Sequence, residues 1–184
     1  SLPSFNFNTA LEAKRRLLWI KELFGFIIRV MAKLKIGQKA PEFSLTDQDG
    51  RVHRLTDYRG QWLLLYFYPK DNTPGCAKEA CAIRDAWQDF EGANAAVLGA
   101  SVDSAKSHKK FAADFSLPFP LLADEKKELV KKYGVWAKKK FICREYMGTL
   151  RTSFLINPKG KISKIYEKVK PEIHAEEVLA DLGE

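Results

Sequence analysis

The sequence has few cysteines and no long uninterrupted apolar segment, and both shortages exclude classes of protein. Three cysteines in 184 residues are too few to staple a small secreted fold with disulfides, and the odd number leaves at least one thiol unpaired within the chain. Hydrophobic residues make up 46% of the chain and charged residues 29%, a balance typical of globular proteins and not of disordered or collagen-like chains. Three roles remain to be weighed for the cysteines: metal binding, a reactive thiol, or burial.

The chain is basic overall, but most of it has almost no excess charge. Of the formal net charge of +8, residues 1–40 account for +6, with eight Lys or Arg and two Glu. Residues 41–184 therefore carry only +2, which gives little attraction for a polyanion. We expect no nucleic-acid partner, and the length favours a single domain after a basic N-terminal segment.

Residues 1–32 are predicted to be an extension outside the domain, with an amphipathic helix over about 9–32. A capping-box pattern is followed there by apolar residues that recur with a helical period. Lys21, Glu22 and Arg29 interrupt the apolar residues, so the segment fits neither a transmembrane span nor a secretory signal. Contact with a membrane surface, packing on the domain or on a second subunit, and sequence unrelated to function all stay open for this segment.

From residue 33 onward the sequence alternates strand-like and helix-like segments, and we predict one α/β domain over 33–184. This order favours a central mixed β-sheet flanked by helices and preceded by an N-terminal hairpin. Such sheets place reactive groups just past the carboxyl ends of their central strands, which directs attention to the loop after the first buried strand. Predicted strands cover Phe43–Thr46, Val52–Leu55, Trp62–Tyr68, Ala95–Val102, Ser153–Ile156 and Ile162–Tyr166, and predicted helices cover Gly75–Glu91, Ala105–Phe115, Lys126–Tyr133 and Pro171–Leu182.

The loop after Trp62–Tyr68 places one cysteine where a thiolate is stabilised. Thr73 is a good N-cap and Pro74 suits the first position of the next helix, so Cys76 falls in the first helical turn. Unpaired amides and the helix dipole favour an anion there, and Gly75 allows a small substrate to approach the backbone. The Thr73 hydroxyl is placed to reach the same sulfur. The alternative for Cys76 is burial as a small hydrophobic residue.

A second cysteine, Cys81, lies five residues after Cys76. On an intact helix their Cα atoms are roughly 8.5 Å apart, and a disulfide does not close beyond about 7 Å, so a bond between them requires the first turns to unwind. The spacing also differs from that of thioredoxin-type redox sites, whose cysteines are separated by two residues. Zinc is a weak alternative because the histidines are scattered, and we interpret His53, His108 and His174 as solvated or core residues.

The residues around Cys76 carry a resemblance to a known family. Pro69-x3-Thr73-x2-Cys76 resembles the active-site signature of peroxiredoxins, and the second cysteine in TPGCAKEAC is similar to their bacterioferritin-comigratory, or Q-type, branch. The segments KIGQKAPEFSLTDQDG, YFYPKDNTPGC, GVW and RTSFLINPKG extend the similarity over most of 33–184. Ala77 departs from it, since related sequences often have Thr at this position.

The resemblance implies a thioredoxin-like fold and a thiol-dependent peroxidase. It implies that Cys76 is the peroxidatic nucleophile and Cys81 the resolving thiol of an intramolecular disulfide. Thr73 would hydrogen-bond the peroxide, Pro69 would shield the site, and Arg151 would supply a guanidinium. The resemblance further implies hydrogen peroxide and organic hydroperoxides as substrates and thioredoxin or a glutaredoxin-like protein as reductant. We expect a cytoplasmic monomer without cofactor or metal.

Arg151 and Cys143 each keep an alternative interpretation. Arg151 is predicted to begin a core strand, where an unpaired charge is unfavourable, so we expect it beside Cys76; a surface ion pair is the alternative. Cys143 lies in a predicted exposed loop and is interpreted as a spare thiol, with an intermolecular bridge as the alternative. Two other functions stay open: a disulfide reductase or redox sensor without peroxidase activity, and a module that binds a membrane or partner through its basic helix.

Overall fold

The computed structural model describes residues 33–141 and 144–182, and those from residue 34 onward form one compact unit. The predicted helix over 9–32 and Cys143 lie outside the described residues. None of the helices in this described part has the length and apolarity needed to cross a membrane. The strands are β1 (Ser44–Thr46), β2 (Val52–Arg54), β3 (Trp62–Phe67), β4 (Ala95–Ser101), β5 (Leu121–Ala123), β6 (Trp136–Phe141), β7 (Arg144–Thr149), β8 (Thr152–Ile156) and β9 (Ile162–Tyr166). The α-helices are α1 (Pro74–Asp85), α2 (Trp87–Gly92), α3 (Ala105–Asp114), α4 (Glu128–Lys132) and α5 (His174–Leu182), and a 3-10 helix at Leu55–Tyr58 follows β2.

Five strands form a central mixed sheet in the order β5-β4-β3-β8-β9. Strands β3, β4 and β5 run parallel, whereas β8 is antiparallel to both β3 and β9. Residues 63 to 67 of β3 are all buried, because the sheet is covered on both faces. With the β1–β2 hairpin, this architecture confirms the predicted fold class. Alternate side chains of the β3 segment enter two separate cores, with Leu63, Leu65 and Phe67 in one and Leu64, Tyr66 and Tyr68 in the other.

The pairing of β3 with β8 determines which distant residue meets the loop after β3. Phe67, at the end of β3, is opposite Thr152, at the beginning of β8. Arg151 immediately precedes this strand, so a residue far along the sequence arrives at the carboxyl end of β3. Helix α1 begins near the same end of the sheet, at Pro74.

Three elements differ from the prediction. The helix expected over Gly75–Glu91 is two helices, because the backbone at Ala86 leaves helical geometry (φ −94°, ψ 11°). The last helix begins at His174 and not at Pro171, which lies in a turn. Strand β5 was not predicted, because its three residues form a strand only by pairing with β4.

The exposed loop predicted for the segment that contains Cys143 is wrong for the described residues on either side, which form two strands. Strands β6 and β7 form a two-stranded antiparallel sheet in which Trp136 is opposite Thr149. Tyr146 and Met147 of β7 are 49% and 47% exposed, so this hairpin has no regular alternation of buried and exposed residues. The sequence signal for a strand is that alternation, and it is absent here.

Candidate active site

A buried carboxylate, Asp71, fixes the loop between β3 and α1. Its oxygens accept hydrogen bonds from the Tyr68 hydroxyl at 2.8 Å and the Ser107 hydroxyl at 2.6 Å. Nδ1 of His108, a fully buried residue, lies 2.9 Å from the same carboxylate. Burial raises the pKa of Asp71, but the hydrogen bonds from His108, Ser107 and Tyr68 outweigh it, so the pKa is lowered. The loop is therefore tied to α3 just ahead of the reactive helix.

Helix α1 begins as predicted, with Thr73 at the N-cap and Pro74 in the first turn. The Thr73 hydroxyl makes no cap hydrogen bond and donates instead to the Lys70 carbonyl at 3.1 Å. Cys76 lies in the first turn and is only 1% exposed. Unpaired amides and the helix dipole give this position a positive potential. Pro69 is half-buried in the preceding loop.

Arg151 contacts Cys76 directly. Its Nη2 donates to the Cys76 Sγ at 3.2 Å. Gly75 allows this approach, because a Cβ at position 75 would lie 3.2 Å from the same Nη2. Desolvation lowers the pKa of Arg151, but the negative charges of Glu79 and Cys76 outweigh this effect, so the pKa is raised. The sulfur therefore has a permanent cation beside it.

A buried carboxylate that sequence reasoning missed, Glu79, shares this guanidinium with Cys76. Its Oε2 pairs with Nη1 of Arg151, and its side chain is completely buried. Burial raises the pKa of Glu79 to about 7, although the charge and hydrogen bond of Arg151 act in the opposite direction. The signal available in the sequence was its position three residues after Cys76, since residues at this spacing share a helix face.

His174, at the start of α5, is the second residue that sequence reasoning did not place near the site. Its Nε2 lies 2.8 Å from the Ser153 hydroxyl oxygen and 4.0 Å from Oε1 of Glu79. Burial and the charge of Arg151 lower the pKa of His174 to about 4, so the ring is neutral at pH 7. A row of polar groups thus runs from Cys76 through the half-buried Arg151 to the buried Glu79 and His174.

Cys81 is half-buried on the same helix as Cys76, and both thiols are free. Helix α1 is continuous from Pro74 to Asp85. The two cysteines therefore keep a Cα separation of roughly 8.5 Å, beyond the reach of about 7 Å of a disulfide. A bond between the two sulfurs requires α1 to open between them.

The three histidines, predicted to be solvated or core residues, each have side-chain partners. His53 lies within hydrogen-bonding distance of Asp47, at 2.8 Å, and of the Tyr58 hydroxyl, at 2.6 Å. His108 and His174 are core residues, as predicted. Within residues 33–141 and 144–182, no group of three or more His, Cys, Asp or Glu side chains is arranged to hold a metal ion.

The sequence of this domain matches a known family over most of its length. The model of the AhpC/TSA family covers residues 36–165. The chain belongs to the AhpC/TSA family. Peroxiredoxin Bcp of Bacillus subtilis is 44% identical over 149 residues, which are 81% of this chain and 95% of that protein. Peroxiredoxin Bcp of Escherichia coli is 44% identical over 154 residues, 84% of this chain and 99% of that protein.

Solved structures of similar peroxiredoxins share the fold. PrxQ of Xylella fastidiosa superposes with a TM-score of 0.78 at 38% identity, over 83% of this chain and 97% of that one. The bacterioferritin comigratory protein of Xanthomonas campestris, described for its alkyl peroxide reduction activity, gives a TM-score of 0.75 at 34% identity, over 81% and 98% of the two chains. The present chain is a peroxiredoxin with a thioredoxin-like fold. It reduces hydroperoxides and is recycled by thiol reductants.

Proposed function

We propose that Cys76 is the peroxidatic cysteine and that Arg151 is its activating cation. The observation that carries this assignment is the 3.2 Å contact between Nη2 of Arg151 and Sγ of Cys76 at the start of α1. A fixed positive charge and a helix N-terminus both favour the thiolate, which is the nucleophilic form of cysteine. The same guanidinium is placed to stabilise negative charge on the departing oxygen of a peroxide.

In the first step the Cys76 thiolate attacks one oxygen of the hydroperoxide. A sulfur–oxygen bond forms and the O–O bond breaks, its electron pair passing to the leaving oxygen, which takes a proton and departs as water or an alcohol. Cys76 is thereby oxidised to a sulfenic acid. Thr73 holds the peroxide through its hydroxyl, once that group leaves the Lys70 carbonyl, and Pro69 shields the site.

In the second step Cys81 acts as the resolving cysteine. Its thiolate attacks the sulfur of the Cys76 sulfenic acid, a disulfide forms, and the hydroxyl group leaves with a proton as water. Because α1 holds the two sulfurs apart, the helix opens before this step. Glu79 lies between the two cysteines, so its contact with Arg151 breaks when the helix opens. An external dithiol then restores both cysteines by thiol–disulfide exchange.

The proposal extends to the partners of the reaction. Substrates are hydrogen peroxide and organic hydroperoxides, and the reductant is thioredoxin or a glutaredoxin-like dithiol protein. The enzyme works as a monomer, since two cysteines on one helix need no second subunit to form their disulfide. It works in the cytoplasm, where reducing dithiol proteins are available. Peroxide consumption coupled to each reductant separately identifies the reductant, and sedimentation equilibrium measures the mass in solution.

Steady-state peroxide consumption by three variants tests the two cysteine roles. Cys76→Ser should abolish turnover, and Cys81→Ser should allow one turnover and then stall. Cys143→Ser, the matched control, removes the third cysteine and should keep the parent rate. Parent-rate turnover by Cys76→Ser would contradict the assignment of the nucleophile, and sustained thioredoxin-driven turnover by Cys81→Ser would contradict the resolving role.

A further inference from the structure

The loop between β3 and α1 has a buried carboxylate midway between two of the proposed site residues, Pro69 and Thr73. Of residues 69–73, all of which the structure describes, Asp71 alone is buried, at 5% exposure. A carboxylate is rarely buried in a protein unless it is paired, so the partners of Asp71 indicate what it holds. Asp71 takes no part in the reaction steps proposed above.

The side chain of Asp71 is attached to two consecutive residues of α3. The Ser107 hydroxyl donates to Oδ2 of Asp71 at 2.6 Å, and Nδ1 of His108 lies 2.9 Å from the same oxygen. On the far side of the buried His108 ring, Nε2 lies 3.1 Å from the Leu122 carbonyl oxygen. A carbonyl only accepts hydrogen bonds, so Nε2 donates and the ring is anchored to β5 of the central sheet.

The backbone of Asp71 is fixed as well. Its N–H donates to Oδ2 of Asp103 at 2.9 Å. The same oxygen of Asp103 accepts from the hydroxyl of Ser101, the last residue of β4, at 2.7 Å. Groups outside the loop therefore hold Asp71 by both its main chain and its side chain.

The chain turns sharply between Asp71 and Thr73. Asn72 has a φ of 55°, in the left-handed region that is unfavourable for residues with a side chain. Such a backbone persists where the surrounding contacts fix it on both sides. Asp71 fixes one side, and on the other the Thr73 carbonyl accepts from the Ala77 N–H of α1 at 2.9 Å. The direction of the Thr73 side chain thus depends on both anchors.

We propose that Asp71 is a positioning residue of the peroxide reaction, whose contacts with α3 hold Thr73 where its hydroxyl meets the peroxide beside Cys76. This inference rests on the role proposed for Thr73 above. The Thr73 hydroxyl donates to the Lys70 carbonyl at 3.1 Å and must turn toward the peroxide. With the backbone fixed on both sides of Asn72, that turn needs only a rotation of the side chain. Asp71 does not touch the peroxide and acts through Thr73.

Asp71→Asn tests this role with little change of shape. It replaces one acceptor oxygen with an amide NH₂, which cannot accept from Ser107 and His108 together with Tyr68 as the carboxylate does. A displaced catalytic group loses rate steeply with distance, so sulfenic acid formation at Cys76 should slow by about tenfold. Ser107→Ala removes a single donor to Asp71 and should slow the same step by about threefold. Stopped-flow reaction of the full chain with hydrogen peroxide measures both variants.

A double-mutant cycle with Thr73→Val shows whether Asp71 acts through Thr73. Thr73 makes no cap hydrogen bond, so loss of its hydroxyl leaves the start of α1 intact. Thr73→Val alone should slow sulfenic acid formation by about 10²-fold, as expected when a donor to the reacting oxygen is lost. In this background Asp71→Asn should add no more than about twofold. Independent effects would multiply to about 10³-fold and overturn the proposal. If Asp71→Asn does not fold, Ser107→Ala takes its place in the cycle.

Asp47→Asn is the matched control. Asp47 is also a buried carboxylate, 3% exposed, with Nε2 of His53 at 2.8 Å, but it lies in the turn of the β1–β2 hairpin. This variant should lose stability in a similar way and keep the parent rate of sulfenic acid formation. Equal rates in Asp47→Asn and Asp71→Asn would overturn the positioning role.

Alkylation of Cys76 by iodoacetamide gives a readout that a merely structural role of Asp71 would move. This reaction breaks no O–O bond and needs no hydroxyl from Thr73, so in Asp71→Asn its rate should stay within about twofold of the parent. A larger change would show that the substitution alters Cys76 or α1 itself, and would overturn the proposal. If Thr73→Val keeps the parent rate with peroxide, the role proposed for Thr73 fails. If Thr73→Val is slow and Asp71→Asn is not, only this inference fails.

Discussion

Cys76 and Cys81 share one helix, yet their surroundings have different origins. Arg151 donates a hydrogen bond to the Cys76 Sγ, and Arg84 follows Cys81 by three residues on α1. The arginine at Cys76 is Arg151, which is 75 residues away in the sequence, whereas the arginine at Cys81 is Arg84, on the same helix. The environment of the first thiol therefore depends on the whole fold, and that of the second depends mainly on local helix geometry.

The carboxylates that accompany the two arginines differ further. The side chain of Glu79, the partner of Arg151, is 0% exposed, and that of Asp85, the partner of Arg84, is 68% exposed. A buried ion pair is sensitive to alignment and protonation, whereas solvent screens an exposed one. Substitutions around Arg151 should thus have large effects, and substitutions around Asp85 small ones.

The largest effect is expected from Arg151, the arginine beside Cys76. Arg151→Met removes both the cation beside Cys76 and a donor to the departing oxygen, so sulfenic acid formation should slow by about 10³-fold. Arg84→Met should leave this step unchanged within about twofold. Stopped-flow fluorescence with hydrogen peroxide measures the step in both variants. A similar loss in both, or a loss of less than about tenfold in Arg151→Met, would remove the proposed distinction between the two arginines.

The two buried titratable residues near Arg151, Glu79 and His174, should have opposing effects of pH on stability. The pKa of Glu79 rises from 4.5 to about 7 on folding, so the folded state binds the extra proton and stability falls as pH rises through this window. The pKa of His174 falls from 6.5 to about 4, so the unfolded state binds the extra proton and stability rises with pH through that window. The two contributions largely cancel between pH 4.5 and 6.5 in the parent.

Single variants should uncover each contribution. Relative to the parent, Glu79→Gln should gain stability as pH rises from 4.5 to 7, and His174→Gln should lose it as pH rises from 4 to 6.5. Each change should reach about 3 kcal/mol, the equivalent of roughly 2.5 pKa units. Urea unfolding at several pH values measures the slopes, with Asp85→Asn as a control expected to follow the parent. Parallel slopes in all four proteins would contradict the assigned directions.

A small steric change at Gly75 tests how strongly the reaction of Cys76 depends on the position of Arg151. Gly75→Ala places a Cβ 3.2 Å from Nη2 of Arg151, so the guanidinium must shift by a few tenths of an ångström. We expect sulfenic acid formation to slow by about tenfold, since misplaced catalytic groups lose rate steeply with distance. Gly92→Ala, at the end of α2, is the control, because its Cβ would meet nothing within 4 Å. Equal rates in the two variants would show that the position of the guanidinium is not critical.

The smallest effect is expected from the exposed carboxylate. Asp85→Asn removes a surface ion pair with Arg84, and such pairs contribute about 0–1 kcal/mol. Thermal unfolding should shift by only a few degrees, and disulfide formation should not slow, because the proposed mechanism uses no group at Asp85. Slower disulfide formation in this variant would show that Asp85 takes part in the resolving step.

The parts of the site that depend on neighbouring residues could be predicted from the sequence. The continuous apolar segment of β3, the N-cap at Thr73 and the position of Cys76 in the first turn all follow from local patterns. The fold class followed from the order of such segments. The break at Ala86 did not, because the residues on both sides of it have a helical pattern.

The parts that depend on tertiary packing could not be predicted in the same way. The sequence alone gave a reason to expect a partner for Arg151, but its contact with Cys76 requires the pairing of β3 with β8. Glu79 and His174 resemble ordinary helical residues until α1 and α5 come together and bury both. Strands β6 and β7 likewise form by pairing with each other, with no pattern of their own.

The most direct test of the account is the order in which the sulfurs react in the unmodified chain. Trypsin separates the three cysteines into peptides 71–78, 79–84 and 141–144, so mass spectrometry reads each one independently. After one equivalent of hydrogen peroxide, a 1,3-diketone trap added early should label only the peptide that contains Cys76. Later samples should contain the first two peptides joined by a disulfide. Early labelling of Cys81 or Cys143, or a disulfide that omits Cys76, would contradict the account.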